Sequence, residues 1–330
     1  MDGDSGTAGS TQAAEGFPVT VSDCSGSTTT FAKAPAKIVT SNASSLELLL
    51  RLGAGSRVSG TGWPPGRGTM PAALDAQAQK VKVLSRTVIP KEKLLGSGAD
   101  LYINTFGAMK MGGGGMGDVP SEKEFAAAGI KQLQLKTTAC AAKADRPVTD
   151  LAAVEEDITS LGAVTATADR ARALVDGMRA KVDAVRKAVG TVPMSRRPTY
   201  FLFDFDAGTK QPTVVCNRQI AHAVITLAGA RDIFADCDDD RRQVGWEDVV
   251  AKNPDWIQIA VHNHGSASAN KRAFDDAHTW LRTNAATKEL KAVREGHLLR
   301  IGLERSTIAG VANADTVEEI AKALYPDKVR

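Results

Sequence analysis

Two runs of short apolar strands alternating with helices, separated by one long helical stretch, constrain this 330-residue chain more than any other feature. In the first half, KIVTS begins a buried strand at Lys37–Thr40, and the helix SSLELLLRLGAG follows, with Leu at helical spacing and Gly at its end. RVSGTGW is a second strand. KEKLLGSGADLYINT and EKEFAAAGIKQLQL each read as a helix turning into a strand. The second half repeats the plan with PTYFLFDFDAG, RQIAHAVITLAGARDIFAD, WEDVVAKNPDWIQIAV and LKAVREGHLLRIGL. Strands alternating with helices in this way predict parallel sheets covered on both faces. Side by side, LLRLGAGSRVSG answers ITLAGARDIFA, GADLYIN answers NPDWIQI, and AAGIKQLQL answers VREGHLLRI. The spacings drift, so this is one architecture used twice and not a repeat of fixed period.

Residues 167–190 join the halves. Thr167 suits an N-cap, Asp169 the first turn and Gly190 a stop, while Ala171, Leu174, Val175, Met178, Val182 and Val185 form one apolar stripe. Such a helix reaches roughly 35 Å, the width of a small domain. The expected fold is therefore α/β: two Rossmann-like lobes with parallel sheets, joined by a single long α-helix, with a cleft between the lobes. The expected organisation is a flexible tether over 1–16, an N-terminal lobe over 17–166, a linking helix over 167–190 and a C-terminal lobe over 191–330.

Composition narrows the function. With 43% hydrophobic and 24% charged residues the chain has enough apolar material for packed cores. No apolar stretch approaches the roughly 20 residues that cross a bilayer. A net charge of +3 and 5% aromatic residues argue against nucleic acid as a partner. The first sixteen residues, rich in Gly, Ser, Thr and Ala, carry no basic and apolar leader pattern, so any secretory signal is expected to have been removed or never to have been present. The four cysteines, Cys24, Cys140, Cys216 and Cys237, form no Cys-x-x-Cys pair and sit in polar settings. Disulfides Cys24–Cys140 and Cys216–Cys237 in an oxidising compartment are expected, although four cysteines allow three connectivities and free thiols remain an alternative.

No catalytic constellation emerges. A Walker A motif, a Gly-x-Ser-x-Gly elbow and a His-Glu-x-x-His helix are all absent from the sequence, so no enzyme activity and no permanent cofactor are expected. Gly112, Gly114 and Gly117 satisfy Gly-x-Gly-x-x-Gly by glycine richness alone and read as a mobile cleft loop. His262 and His264 follow a strand where they could hold a bare metal, but no third or fourth ligand is evident. The acidic run Asp236, Asp238, Asp239 and Asp240 is followed by Arg241 and Arg242 and reads as a self-neutralised loop.

The C-terminal ends of predicted strands are the places where open α/β sheets meet ligands. In the first half these are Asn42, Trp63, Arg67, Phe106 and Lys110. In the second they are Phe205, Lys210, His262, Asn263, Glu304 and Arg305, with Arg218 at the start of a helix. Aromatic faces and guanidinium forks facing each other suit a bulky, oxygen-rich, polar or anionic guest.

Read as an ordered set, FPVTVSDC, KAPAKIVTSNASSLELLLRLGAGSRVSGTG, DLAAVEEDITSLGAVTATADRARALVDGMRAKV, ITLAGARDIFAD, VGWEDVVAKNPDWIQIAV and LKAVREGHLLRIG resemble one known family across about residues 17–325. It is the substrate-binding proteins of ABC importers for iron–siderophore complexes, haem and cobalamin. The resemblance implies capture of a metal chelate, with a ferric siderophore favoured and cobalamin or haem as alternatives. It also implies a monomer outside the cytoplasmic membrane, held there by a lipid anchor or periplasmic. One glutamate of each lobe would dock the ABC permease, and the positions matched to that role are Glu47 and Glu247. GRGTMPAALDAQAQKVKVLSRT and MKMGGGGMGD depart from the family pattern, which points to an unusual guest.

Overall fold

A computed structural model of the chain describes residues 16–23, 26–105, 119–139 and 145–329. A hairpin of β1 (Val19–Ser22) and β2 (Thr28–Phe31) leads into β3 (Ile38–Thr40), α1 (Ala43–Arg51) and β4 (Val58–Thr61). Then come α2 (Ala72–Ala78), α3 (Lys91–Leu95), β5 (Leu101–Asn104), α4 (Glu122–Ala127), β6 (Lys131–Gln134), α5 (Lys136–Ala139) and α6 (Ala152–Val164). The long helix α7 (Ala168–Val189) leads to β7 (Thr199–Asp204), β8 (Thr213–Val215), α8 (Ile220–Leu227), β9 (Arg231–Asp232) and β10 (Arg241–Gln243). The chain ends with α9 (Trp246–Lys252), β11 (Trp256–Ala260), α10 (Ala267–Thr283), α11 (Lys291–Glu295), β12 (Leu298–Arg300), α12 (Leu303–Thr307) and α13 (Ala312–Leu324).

Each lobe is built on a four-stranded sheet, ordered β4-β3-β5-β6 in the first and β12-β11-β7-β9 in the second, and every pairing within them is parallel. Numbered within its own lobe, each sheet runs 2-1-3-4. The order reverses between the first and third strands, β3 and β5 in one lobe and β7 and β11 in the other. Ligands of open α/β sheets bind at that switch point, beyond the carboxyl ends of the strands. The second lobe adds an antiparallel two-stranded ribbon, β8 with β10, whose strands are separated in the chain by α8 and β9 and stapled by the disulfide Cys216–Cys237. The expected pair Cys24–Cys140 lies outside the described residues, as do the Gly112–Gly117 loop, Phe106 and Lys110.

Local chemistry explains the elements that matter. Asn42 caps α1 by accepting from the Ser45 amide at 3.0 Å, and Gly53 at φ +76° ends the helix in a conformation only glycine adopts freely. In α7, Ala171, Val175, Met178, Val182, Val185 and Val189 are buried on one stripe. Gly162 of α6 lets α7 approach closely, since a Cβ there would stand 2.3 Å from that of Ala171.

The cores differ front to back. One cluster runs through both lobes, taking Leu46 and Leu49 of α1, the α7 stripe, Val224 of α8 and Val317 and Ile320 of α13. The opposite sheet faces carry separate clusters: Tyr102, Leu94 and Phe125 in the first lobe, and Phe201, Phe203, Trp246 and Leu281 in the second. The apolar cores of the two lobes are fused along this rear and separate along the front.

Candidate functional site

The carboxyl end of β7 places Asp204, 2% exposed, at the base of the second half-site. Two cations converge on it: His262 Nε2 lies 3.5 Å from Oδ1 and Arg241 Nη1 3.8 Å from Oδ2. The bond to Asp204 holds the His262 imidazolium to higher pH than an ordinary histidine. Two residues on, Asp206 accepts from the His262 amide at 2.6 Å and faces His264 Nε2 at 3.0 Å. Both imidazoles therefore turn the same ring nitrogen to a carboxylate. Among the described residues, no group of three or more His, Cys, Asp or Glu side chains converges as metal ligands.

The first half-site lies at the ends of β3, β4 and β5. Asn42 is buried, and its Oδ1 accepts from the Ser45 amide, the Ser45 hydroxyl at 2.9 Å and the Thr105 hydroxyl at 3.1 Å. Its Nδ2 has no hydrogen-bond partner. Trp63 follows β4 at φ +32°, its amide donating to the Thr87 carbonyl and its carbonyl accepting from the Ala43 amide. A bulky aromatic residue in the left-handed region is strained, and such strain persists where surrounding contacts impose it.

The half-sites touch. The Arg67 amide donates to the Gly265 carbonyl at 3.1 Å, the Ala267 amide donates to the Arg67 carbonyl at 3.0 Å, and Asn263 Nδ2 donates to the Pro64 carbonyl at 3.3 Å. Glu304 Oε1 accepts from the Asn263 amide at 2.8 Å and steadies that loop. Phe205 is half-buried on the rim against Phe203, with ring centroids 6.0 Å apart, and Lys210 is exposed in the turn beyond it.

Two of the expected cations are engaged elsewhere. Arg218 forms a two-pronged bond with Asp238, at 3.0 and 2.7 Å, beside the Cys216–Cys237 disulfide. Arg305 turns to Glu319 of α13 at 2.7 Å. Three residues of the second half-site, Asp204, Asp206 and Arg241, lie outside the set read from the sequence. Arg241 belongs to the DDDRR run that reads as self-neutralised. The two aspartates end a strand whose apolar pattern draws attention away from them.

Topology also separates Glu47 from Glu247. Glu247 is exposed in the first turn of α9, the helix before the third strand of its sheet, on the front. Glu47 lies on α1 at the fused rear, with its side chain 15% exposed and paired with Arg51 at 2.6 Å. The element equivalent to α9 is α3, where Glu92 is exposed in the first turn. Glu92 stands nine residues before β5 begins at Leu101, as Glu247 stands nine before β11 begins at Trp256. The correspondence of GADLYIN with NPDWIQI, continued upstream, already pairs these two residues.

Two lobes of matching topology, fused behind and with the carboxyl ends of their strands facing each other, define a bilobal α/β protein of the kind whose sheets meet ligands at those ends. The chain belongs to the periplasmic binding protein family, which matches residues 38–303. Over 324 residues it is 23% identical to the uncharacterized ABC transporter substrate-binding lipoprotein YvrC of Bacillus subtilis (strain 168), covering 96% of this chain and 88% of that one. The solved structure of an ABC-type Fe3+-hydroxamate transport system from Saccharomonospora viridis DSM 43017 matches with a TM-score of 0.72 at 23% identity, covering 93% of this chain and 99% of that one. A periplasmic heme binding protein from Pseudomonas aeruginosa matches with a TM-score of 0.65 at 21% identity, covering 89% and 94%. At these identities the likeness to solved structures is one of fold. Family membership places the chain outside the cytoplasmic membrane, where a disulfide such as Cys216–Cys237 persists.

Proposed function

We propose that this protein is the substrate-binding component of an ABC importer that captures a ferric siderophore and delivers it to a permease. The observation that carries this reading is the apposition of two equivalent sheet switch points, with Asn42, Trp63 and Arg67 on one side and Phe205, Lys210, His262, Asn263 and Glu304 on the other. The likeness to a lipoprotein of ABC transport and to an Fe3+-hydroxamate protein supports it.

Charge narrows the guest. Around the described strand ends Asp204, Asp206 and Glu304 nearly balance Arg67, Lys210, Arg241 and the imidazolium of His262, and Arg218 and Arg305 are engaged in other ion pairs. A lining with no more than one positive charge in excess favours a neutral or weakly charged chelate, such as a ferric trihydroxamate, over a strongly anionic tricatecholate, whose burial would need unpaired cations. Bare-metal binding through His262 and His264 is disfavoured because, among the described residues, no set of three or more ligands converges around them.

The partner surface in this reading is the front, with Glu92 and Glu247 as the two equivalent contacts for basic groups of the permease. Titrating the purified protein with a ferric trihydroxamate, a ferric tricatecholate, haem and cobalamin, while following tryptophan fluorescence, tests the ligand. The trihydroxamate is expected to quench at micromolar concentration or below. Quenching by haem or cobalamin alone would replace the siderophore as guest.

A further inference from the structure

The contact between residues 64–67 and 263–267 is built with more care than two loops meeting by chance require. It is a parallel bridge of main chain, Arg67 opposite Ser266, that joins the lobes at the cleft edge. The Arg67 carbonyl receives the first amide of α10, one of the donors that a helix cannot satisfy internally. Ser266 caps the same helix by accepting from the Ala269 amide at 3.2 Å. Gly66 fits against the second lobe because it lacks a side chain: a Cβ there would stand 2.3 Å from Asn263 Oδ1 and 3.0 Å from the Gly265 carbonyl carbon. Asn263 is engaged at both ends of its amide, its Nδ2 donating to the Pro64 carbonyl and its Oδ1 accepting from the Gly265 amide at 2.9 Å. At the rear the Ser44 hydroxyl donates to the Ala309 carbonyl at 3.0 Å, so the lobes are tied at front edge and back together.

We infer that this clasp is a fixed end wall of the cleft: it is closed in the free protein, stays closed when the guest binds, and makes Gly66 and Asn263 determinants of guest size. Asn263, expected from sequence to touch the guest, instead shapes the space that the guest occupies. The inference rests on the cleft being the guest site, as proposed above. With that edge shut and the rear fused, the bulk of the guest is limited at the clasp.

A crosslink tests it. A Cβ on Gly68 would lie 3.6 Å from that of Ala267, within the range of a disulfide. The pair Gly68→Cys with Ala267→Cys is therefore expected to oxidise in the guest-free protein. Gly68 sits at φ +75°, so Gly68→Cys alone serves as the control for backbone strain. Oxidised and reduced forms are expected to bind a ferric trihydroxamate with dissociation constants within twofold of each other. Gly66→Val and Asn263→Ala, which open the clasp by independent routes, are expected to weaken that binding about tenfold and to narrow the preference for smaller over bulkier trihydroxamates. A pair that stays reduced, or an oxidised protein that binds only after reduction, would overturn the fixed wall. A wild-type protein indifferent to every trihydroxamate would sink the ligand assignment alone, and disulfide yield would still decide whether the clasp is closed.

Discussion

His262 holds its proton above the ordinary histidine value of 6.5 because Asp204 is hydrogen-bonded to it. The pair's contribution to folding is thus complete below 6.5 and is lost as pH rises through the higher folded value. Asp204→Asn is expected to bring the His262 titration, followed by nuclear magnetic resonance, down toward or below 6.5; an unmoved midpoint would mean that another group holds the proton. Asn42 makes a different contribution. It caps α1 and gathers three donors onto one oxygen, so Asn42→Ala is expected to lower stability by about 1–2 kcal/mol in denaturant titration. Little of this residue-level chemistry is legible in the sequence. Strand-end position identifies Asn42, Trp63 and His262, but the partners that engage Arg218 and Arg305 come from Asp238 and Glu319, which lie 20 and 14 residues further along the chain.

Among the elements, the disulfide-stapled ribbon and the paired front helices carry separate predictions. Cys216–Cys237 closes a 21-residue separation, for which chain entropy gives about 3 kcal/mol of stabilisation. Cys216→Ser with Cys237→Ser is expected to lose about that much, read as a lower urea midpoint than that of the unreduced parent. On the front, charge reversal at Glu92 and Glu247 together is expected to abolish chelate uptake in cells while leaving binding by the purified protein unchanged; loss of binding as well would place these residues in the cleft. Long, strongly patterned elements are readable in advance: α7 declares itself by a six-residue stripe and a terminal glycine. By contrast α10 is polar over most of its length, with only Ala277 and Leu281 buried, and its start depends on Ser266 and on a carbonyl from the other lobe. The matching of Glu92 with Glu247 was written in the internal duplication, whereas the nearer-looking Glu47 belongs to a helix of the fused rear.

For the whole molecule, the asymmetry of its cores sets how it works. A hydrophobic cluster continuous through both lobes, with the α7 stripe packed into it, resists wide opening, because separating the lobes would expose apolar surface at about 25 cal/mol per Å². Guest binding is therefore expected to change the radius of gyration, measured by solution X-ray scattering, by no more than about 1 Å. A swing of several ångströms would show that the rear core parts. The duplication and the single long helix allow this architecture to be foreseen from sequence, but the fusion of the cores does not follow from either lobe alone. It emerges only when α6 of the first lobe and α8 and α13 of the second pack against α7. The most direct test of a guest held between the lobes is a crystal of the protein grown with a ferric trihydroxamate, in which iron is located by its anomalous scattering. One iron peak between Trp63 and His262, with the chelate intact, is the result this account predicts; iron bound outside the cleft, or a chelate chemically altered by the protein, would contradict it.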